Sequence, residues 1–193
     1  MPHAIVVSQF GGPEVLEYVE VEMPIAGPGE VVVRVAAAGI NYIDVYRRAG
    51  KYPVELPGIP GAEASGTVAA IGAGVSSVAV GDRVAFPDNT GGYAEYVIAP
   101  AAKCLPVPDG IDDLTAAAIP MQLLTAHYLV DGSYQLEAGD TCLIHAGAGG
   151  VATAGHAPKR KSHGASSASG AASSAASNAS SSAASSTPSK PTS

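Results

Sequence analysis

The sequence predicts a mixed α/β fold: a small β-barrel with short helices, then one strand and a glycine turn, then an unstructured tail. Three observations carry this. Short β-branched runs recur between Gly and Pro residues up to about Phe86. Thr141-Cys-Leu-Ile-His-Ala-Gly-Ala-Gly-Gly-Val151 has the pattern of an apolar strand running into a tight turn. From about Gly164 nearly every residue is Ser, Ala, Gly, Pro or Thr.

Ala4 to Val7 is an apolar run stopped by Gly11-Gly12-Pro13, and Val15 to Val21 is a second strand ended by Pro24. Val31 to Ala36 is a strong β-branched strand, and these three read as antiparallel neighbours joined by turns. Asn41 is an N-cap, Asp44 a carboxylate in the first turn and Gly50 a C′ residue, which frames a helix over Tyr42 to Ala49. Leu56 to Gly61 has too much Pro and Gly for anything but an ordered loop.

Ala64 to Ile71, Arg83 to Phe86, Tyr93 to Ile98 and Lys103 to Leu105 are further short strands, spaced as in a partly closed barrel. Asp112-Asp113 caps a helix through Ile119, and Pro120 opens another reaching about Asp131. Gly139-Asp140 leads into the last strand, Cys142 to Ala146, in which His145 reads as a hydrogen-bonded core residue. Beyond it, Gly155 and Pro158 interrupt the helix that the glycine turn should open. The tail has no large apolar side chain to offset a backbone ordering cost of ~1–2 kcal/mol per residue, so it is expected to be disordered.

All 17 acidic residues lie at or before Asp140, while Lys159, Arg160, Lys161 and Lys190 belong to the tail. An acidic body excludes a polyanion partner, so no nucleic-acid binding is expected of the folded part. Cys104 and Cys142 form no C-x-x-C pair and suit a reducing compartment. No leader pattern and no long apolar span is present, so a soluble cytoplasmic protein without membrane contact is expected.

Two constellations bear on chemistry. Gly147-Ala148-Gly149-Gly150-Val151-Ala152 fits G-x-G-x-x-[G/A] after a strand, the pattern that brings backbone N–H groups against a pyrophosphate. The crossover helix and the second strand that should complete such a site do not follow in the sequence. Asn41, Asp44, Tyr46 and Tyr52 form either a polar pocket wall or a capped helix with tyrosines half in the core. His3, His127, His145, His156 and His163 are scattered and have no partner at ligand spacing, so no metal is expected.

Six pieces in order carry a family resemblance. They are Phe10-Gly-Gly-Pro-Glu-Val-Leu16, Gly39-Ile-Asn-Tyr-Ile-Asp-Val-Tyr46, Gly58-Ile-Pro-Gly-Ala-Glu-Ala-Ser-Gly66, Val80-Gly-Asp-Arg-Val84, Gly91-Gly-Tyr-Ala-Glu-Tyr96 and His145-Ala-Gly-Ala-Gly-Gly-Val151. The body resembles the zinc-free quinone oxidoreductase (zeta-crystallin-like) branch of the medium-chain dehydrogenase/reductases. Where zinc-dependent relatives carry Gly-His-Glu, this chain has Gly61-Ala62-Glu63.

The resemblance implies a chaperonin-10-like catalytic domain over residues 1–128, lacking its C-terminal return segments. The start of a Rossmann nucleotide-binding domain follows over 129–152, and a low-complexity tail over 153–193. It further implies NADPH as hydride donor and a quinone or activated enone as substrate. Asn41, Asp44, Tyr46 and Tyr52 then line the substrate pocket, Thr125 lies near the nicotinamide, and Gly147, Gly149, Gly150 and Val151 face the cofactor. Relatives form homodimers through a strand that has no counterpart here. Expected of this chain are impaired turnover and weak NADPH binding, the alternative being a non-catalytic remnant or binding module. The abrupt composition change near codon 152 is what a reading-frame change or alternative transcript end would produce.

Overall fold

The computed structural model describes residues 1–135 and 139–155; the Ser/Ala-rich tail, with His156 and His163, lies outside them. The backbone divides into two compact units, Met1–Met121 and Gln122–Ser193.

In the first unit, β1 (His3–Val6) pairs antiparallel with β2 (Glu17–Glu20), Ala4 facing Val19. A single 3₁₀ turn, Pro13–Val15, makes the return and buries Val15. The Glu14 carboxylate accepts the Gly12 N–H at 2.7 Å. Its own N–H and that of Gly12 hold this carboxyl below the ordinary glutamate range.

β3 (Glu30–Gly39) is flanked by β4 (Glu63–Ile71) and β6 (Tyr96–Pro100), and β5 (Arg83–Phe86) and β7 (Leu105–Pro106) follow β4. The five form one antiparallel sheet in the order β6-β3-β4-β5-β7. Val31, Val33, Val68, Val84, Phe86 and Val97 are buried together on it, which is what the β-branched runs require. Gly66 sits where β4 passes closest to β3: a Cβ there would overlap the Arg34 carbonyl. Beside it the register of β3 against β4 shifts between Val35 and Ala37.

The strand expected from Tyr93 begins at Tyr96. Tyr93 is drawn aside, its N–H donating to the Pro60 carbonyl and its carbonyl accepting from Ile5. These bonds, with the Ala4–Ala94 and Val7–Gly58 bridges, tie the two-stranded ribbon to the larger sheet.

Helix α1 (Tyr42–Arg48) has Asn41 as N-cap and Gly50 at φ +73°, as its flanking residues require. Helix α2 (Asp113–Ala118) is capped by Asp112, whose carboxylate accepts the Thr115 N–H at 2.7 Å. It packs Ala116 and Ala117 against β3 and β4. Arg83 holds it from below, donating to Asp113 Oδ1 and to the Ile111 carbonyl at 2.7 Å each.

Helix α3 (Pro120–His127) runs into a π-helical turn, Tyr128–Ser133. Among the described residues of the second unit, no strand forms over Cys142 to Ala146. That expectation is corrected for a physical reason: a strand exists by cross-strand bonding, and no described segment pairs with this one. Leu143 is 82% exposed, and His145 is exposed instead of buried. The glycine turn does open a helix, α4 (Gly150–Gly155), but only of six residues.

Candidate functional site

The chemistry of the first unit gathers at the first turn of α1. Asp44 is 6% exposed, and its Oδ2 accepts from the Asn41 N–H at 3.2 Å and from the Tyr93 hydroxyl at 3.0 Å. Its Oδ1 has no hydrogen-bond partner among the described residues. Burial pushes the Tyr93 hydroxyl far above its ordinary range, and the Asp44 charge beside it adds to the shift.

Asn41 continues the network. Its side-chain amide donates to Glu63 Oε1 at 2.9 Å, and Glu63 Oε2 accepts the Met121 N–H at 2.9 Å. Glu63 is fully buried. Gly39 faces it so closely that a Cβ there would overlap the carboxylate. Glu63 and Tyr93 are the residues that sequence reasoning missed as site members, although both stood inside quoted motifs. Glu63 is the one charge in a stretch of small residues, Gly61 to Gly66, and that was the available signal.

Asn41 and Asp44 border a cavity of about 620 Å³ between β1, the Val35–Ile40 stretch and α1. Tyr46 and Tyr52 do not border it; they join Tyr42 on an aromatic face. The Tyr42–Tyr46 and Tyr46–Tyr52 ring centroids are each 6.0 Å apart. The Lys51 ammonium lies 5.2 Å from the Tyr46 ring centre, which enriches the face in positive charge. Tyr42 is 78% exposed and Tyr52 50%, so the face is open.

In the second unit, Thr125 is exposed on α3. Ala146 holds the left-handed conformation at φ +51°, and the Gly149 N–H returns to its carbonyl at 2.7 Å. A Cβ on Gly147 would meet open space, whereas one on Gly150 would stand 2.7 Å from Gln122 Cγ. Val151 is half-buried. The six-residue helix behind the turn and the absence of any described strand beside it leave nothing for a ribose. The residues described do not fit a whole dinucleotide.

Among the described residues, no three His, Cys, Asp or Glu side chains gather as a metal would need. His3 stacks on Tyr18 at 4.8 Å, and His127 Nδ1 pairs with Asp131 at 2.8 Å. No helix described is long and apolar enough to cross a membrane.

Residues 27–109 match the alcohol dehydrogenase GroES-like domain. A quinone oxidoreductase of Pseudomonas aeruginosa is 44% identical over 155 residues, 78% of this chain and 47% of that protein. Over about its first four-fifths the chain is similar to the quinone oxidoreductase branch of the medium-chain dehydrogenase/reductases. An Escherichia coli quinone oxidoreductase solved in complex with NADPH superposes with a TM-score of 0.77 at 37% identity. That match covers 79% of this chain and 48% of the other. A 2-haloacrylate reductase from Burkholderia is 37% identical over 159 residues, again 78% of this chain and 47% of the relative. The chain therefore spans about half the length of the quinone oxidoreductases it matches. The mixed α/β architecture with a GroES-like sheet and few helices is the one that the resemblance implied.

Proposed function

We propose that the first unit is the acceptor-holding part of a zinc-independent, NADPH-dependent quinone or enone reductase, and that the 193-residue chain alone turns over little substrate. The observation that carries the acceptor assignment is the tyrosine face of Tyr42, Tyr46 and Tyr52. A quinone is planar and electron-poor, and it gains by stacking on electron-rich phenol rings. The tyrosine hydroxyls and the Lys51 ammonium are donors suited to its carbonyl oxygens. Asn41 and Asp44 set this face by fixing the start of α1, through bonds to Glu63 and Tyr93. The relatives named as quinone oxidoreductases and as a 2-haloacrylate reductase support both substrate classes, each an electron-poor double bond.

In such a reaction the nicotinamide supplies the hydride, and the protein orients the acceptor. The fragmentary glycine turn supports the second reading, that this chain is a non-catalytic binding module. The two free thiols, Cys104 and Cys142, favour the cytoplasm as the compartment.

Titration of the full 193-residue chain with NADPH, followed by nicotinamide fluorescence, tests the reading. A flat titration is expected. Saturable micromolar binding, or NADPH oxidation on adding a naphthoquinone, would show that the isolated chain is a working reductase and overturn the second half of the proposal.

A further inference from the structure

Arg47 is a cation that the fold leaves unanswered. Its side chain is only 22% exposed, and its Nη1 is buried without a hydrogen-bond partner among the described residues. Asp88 Oδ1 lies 3.9 Å from Nη2, too far for a hydrogen bond, and the same carboxylate also faces the Lys103 ammonium at 3.4 Å. Arg48, next in the chain, is engaged, its Nε donating to the Gly11 carbonyl at 3.4 Å. A guanidinium drawn largely out of water without an acceptor gains when an anion supplies one.

Both arginines border a second cavity, of about 450 Å³, beside Val7 and the loop of residues 53–60. That volume falls in the range of roughly 300–1,000 Å³ common for small-molecule sites. Val7, Val54, Leu56 and Ile59 give it apolar walls. The loop is fixed against the end of β1: the Val7 N–H donates to the Gly58 carbonyl at 2.8 Å, and the Gly58 N–H to the Val7 carbonyl at 3.0 Å. Glu55 also borders the cavity, but it is exposed and forms no ion pair with either arginine.

Apolar walls around an unanswered cation select a ligand that has both parts. A bare phosphate would leave the walls wet, and Glu55 and Asp88 nearby disfavour a doubly charged ion. A neutral apolar molecule would leave the guanidinium as it is. A carboxylate matches the planar donor fork.

We propose that this cavity binds a small monocarboxylic acid with an apolar body, its carboxylate on Arg47 and its body against Val54 and Ile59. The site shares no residue with the tyrosine face, and it does not depend on NADPH binding or turnover.

The test titrates the full 193-residue chain with sodium benzoate and follows backbone amide shifts by NMR. Saturable shifts at Val54, Ile59 and Thr90 are expected, and benzamide, nearly the same shape without the charge, should bind about tenfold or more weakly. Arg47→Met keeps the apolar stem and removes the charge, so benzoate affinity should fall about tenfold or more. Arg47→Lys keeps the charge without the fork and should fall between the two. A flat titration would overturn the proposal, as would equal affinity for benzoate and benzamide, or equal affinity in R47M and wild type. Inorganic phosphate binding as tightly as benzoate would also overturn it, and so would shifts confined to Tyr42, Tyr46 and Tyr52. The comparison of benzoate with benzamide uses the wild-type chain, so it stands whether or not R47M folds.

Discussion

The Tyr93 hydroxyl lies 3.0 Å from Asp44 Oδ2, so the loop entering β6 is pinned to the first turn of α1. The two residues are 49 positions apart, and the bond joins the sheet to the helix that carries the tyrosine face. Removing the donor leaves a buried carboxylate short of a partner. Tyr93→Phe is expected to cost about 1–3 kcal/mol, read as a lower urea midpoint. The pH dependence has a definite sign. A phenol whose folded pKa is raised stabilises the fold below its unfolded value near 10, and this is lost as pH rises through the folded value. Wild type should therefore lose stability above about pH 10, and Tyr93→Phe should lose less over the same range.

Glu63 is the second anchor. It accepts from Asn41 and Met121 while fully buried, so Glu63→Ala removes an acceptor from an amide and from a backbone N–H and opens a cavity. A loss of about 2–5 kcal/mol is expected in denaturant unfolding. Glu63→Gln keeps the shape and one acceptor, and should cost less. Equal losses would show that the acceptor missing from both variants, and not the vacated volume, sets the cost.

Cys104 is 8% exposed, and burial pushes its thiol up to about 11. Cys142 is exposed. An aromatic disulfide reagent at about pH 8 should titrate Cys142 rapidly and Cys104 only in denaturant, since the thiolate is the reactive form. The raised value keeps the neutral thiol favoured in the fold. Its contribution is complete below the reference value of 9.0 and fades as pH climbs toward 11. Fast labelling of Cys104 in the native chain would contradict its packing against the sheet.

Asp112 is lowered by the Thr115 backbone N–H that it caps. A depressed folded pKa stabilises above the unfolded value and loses that effect as pH falls through the folded one. Asp112→Ala should lower Tm at neutral pH, and the difference from wild type should shrink below about pH 4. A pH-independent difference would mean that the carboxylate charge plays no part in the cap.

The sequence holds no Trp, so emission comes from its eight tyrosines, three of which form the aromatic face. Naphthoquinone quenching should give a dissociation constant that rises about three- to tenfold in Tyr46→Leu, the loss of one ring contact worth ~0.5–1.5 kcal/mol. Identical curves for wild type and variant would remove the tyrosine face from the substrate assignment.

Helices α1 and α2 were legible from their caps, because Asn41, Gly50 and Asp112 act on residues within one turn of themselves. The core strands were legible for the same reason: β-branched residues at Val31 to Val33 and Arg83 to Phe86 prefer a pleated surface wherever they lie. Tyr93 was assigned to a strand and instead leaves it, since its backbone partners Pro60 and Ile5 are distant in sequence. Cys142 to Ala146 has the composition of a buried strand, yet composition does not supply the neighbour whose bonds make one.

By itself, the sequence determined the local elements, the ordered motifs that mark the family, and the glycine turn, all set by short-range sterics and hydrogen bonding. Tertiary structure alone decided that Asn41 and Asp44 are tied to Glu63 and Tyr93, that Tyr46 and Tyr52 stand apart from the cavity these two border, and that Arg47 is half-buried without an acceptor. The physical reason is the range of the interaction. Caps and turns are satisfied by neighbours along the chain, whereas a buried carboxylate or a strand edge is satisfied only by whatever the fold brings beside it.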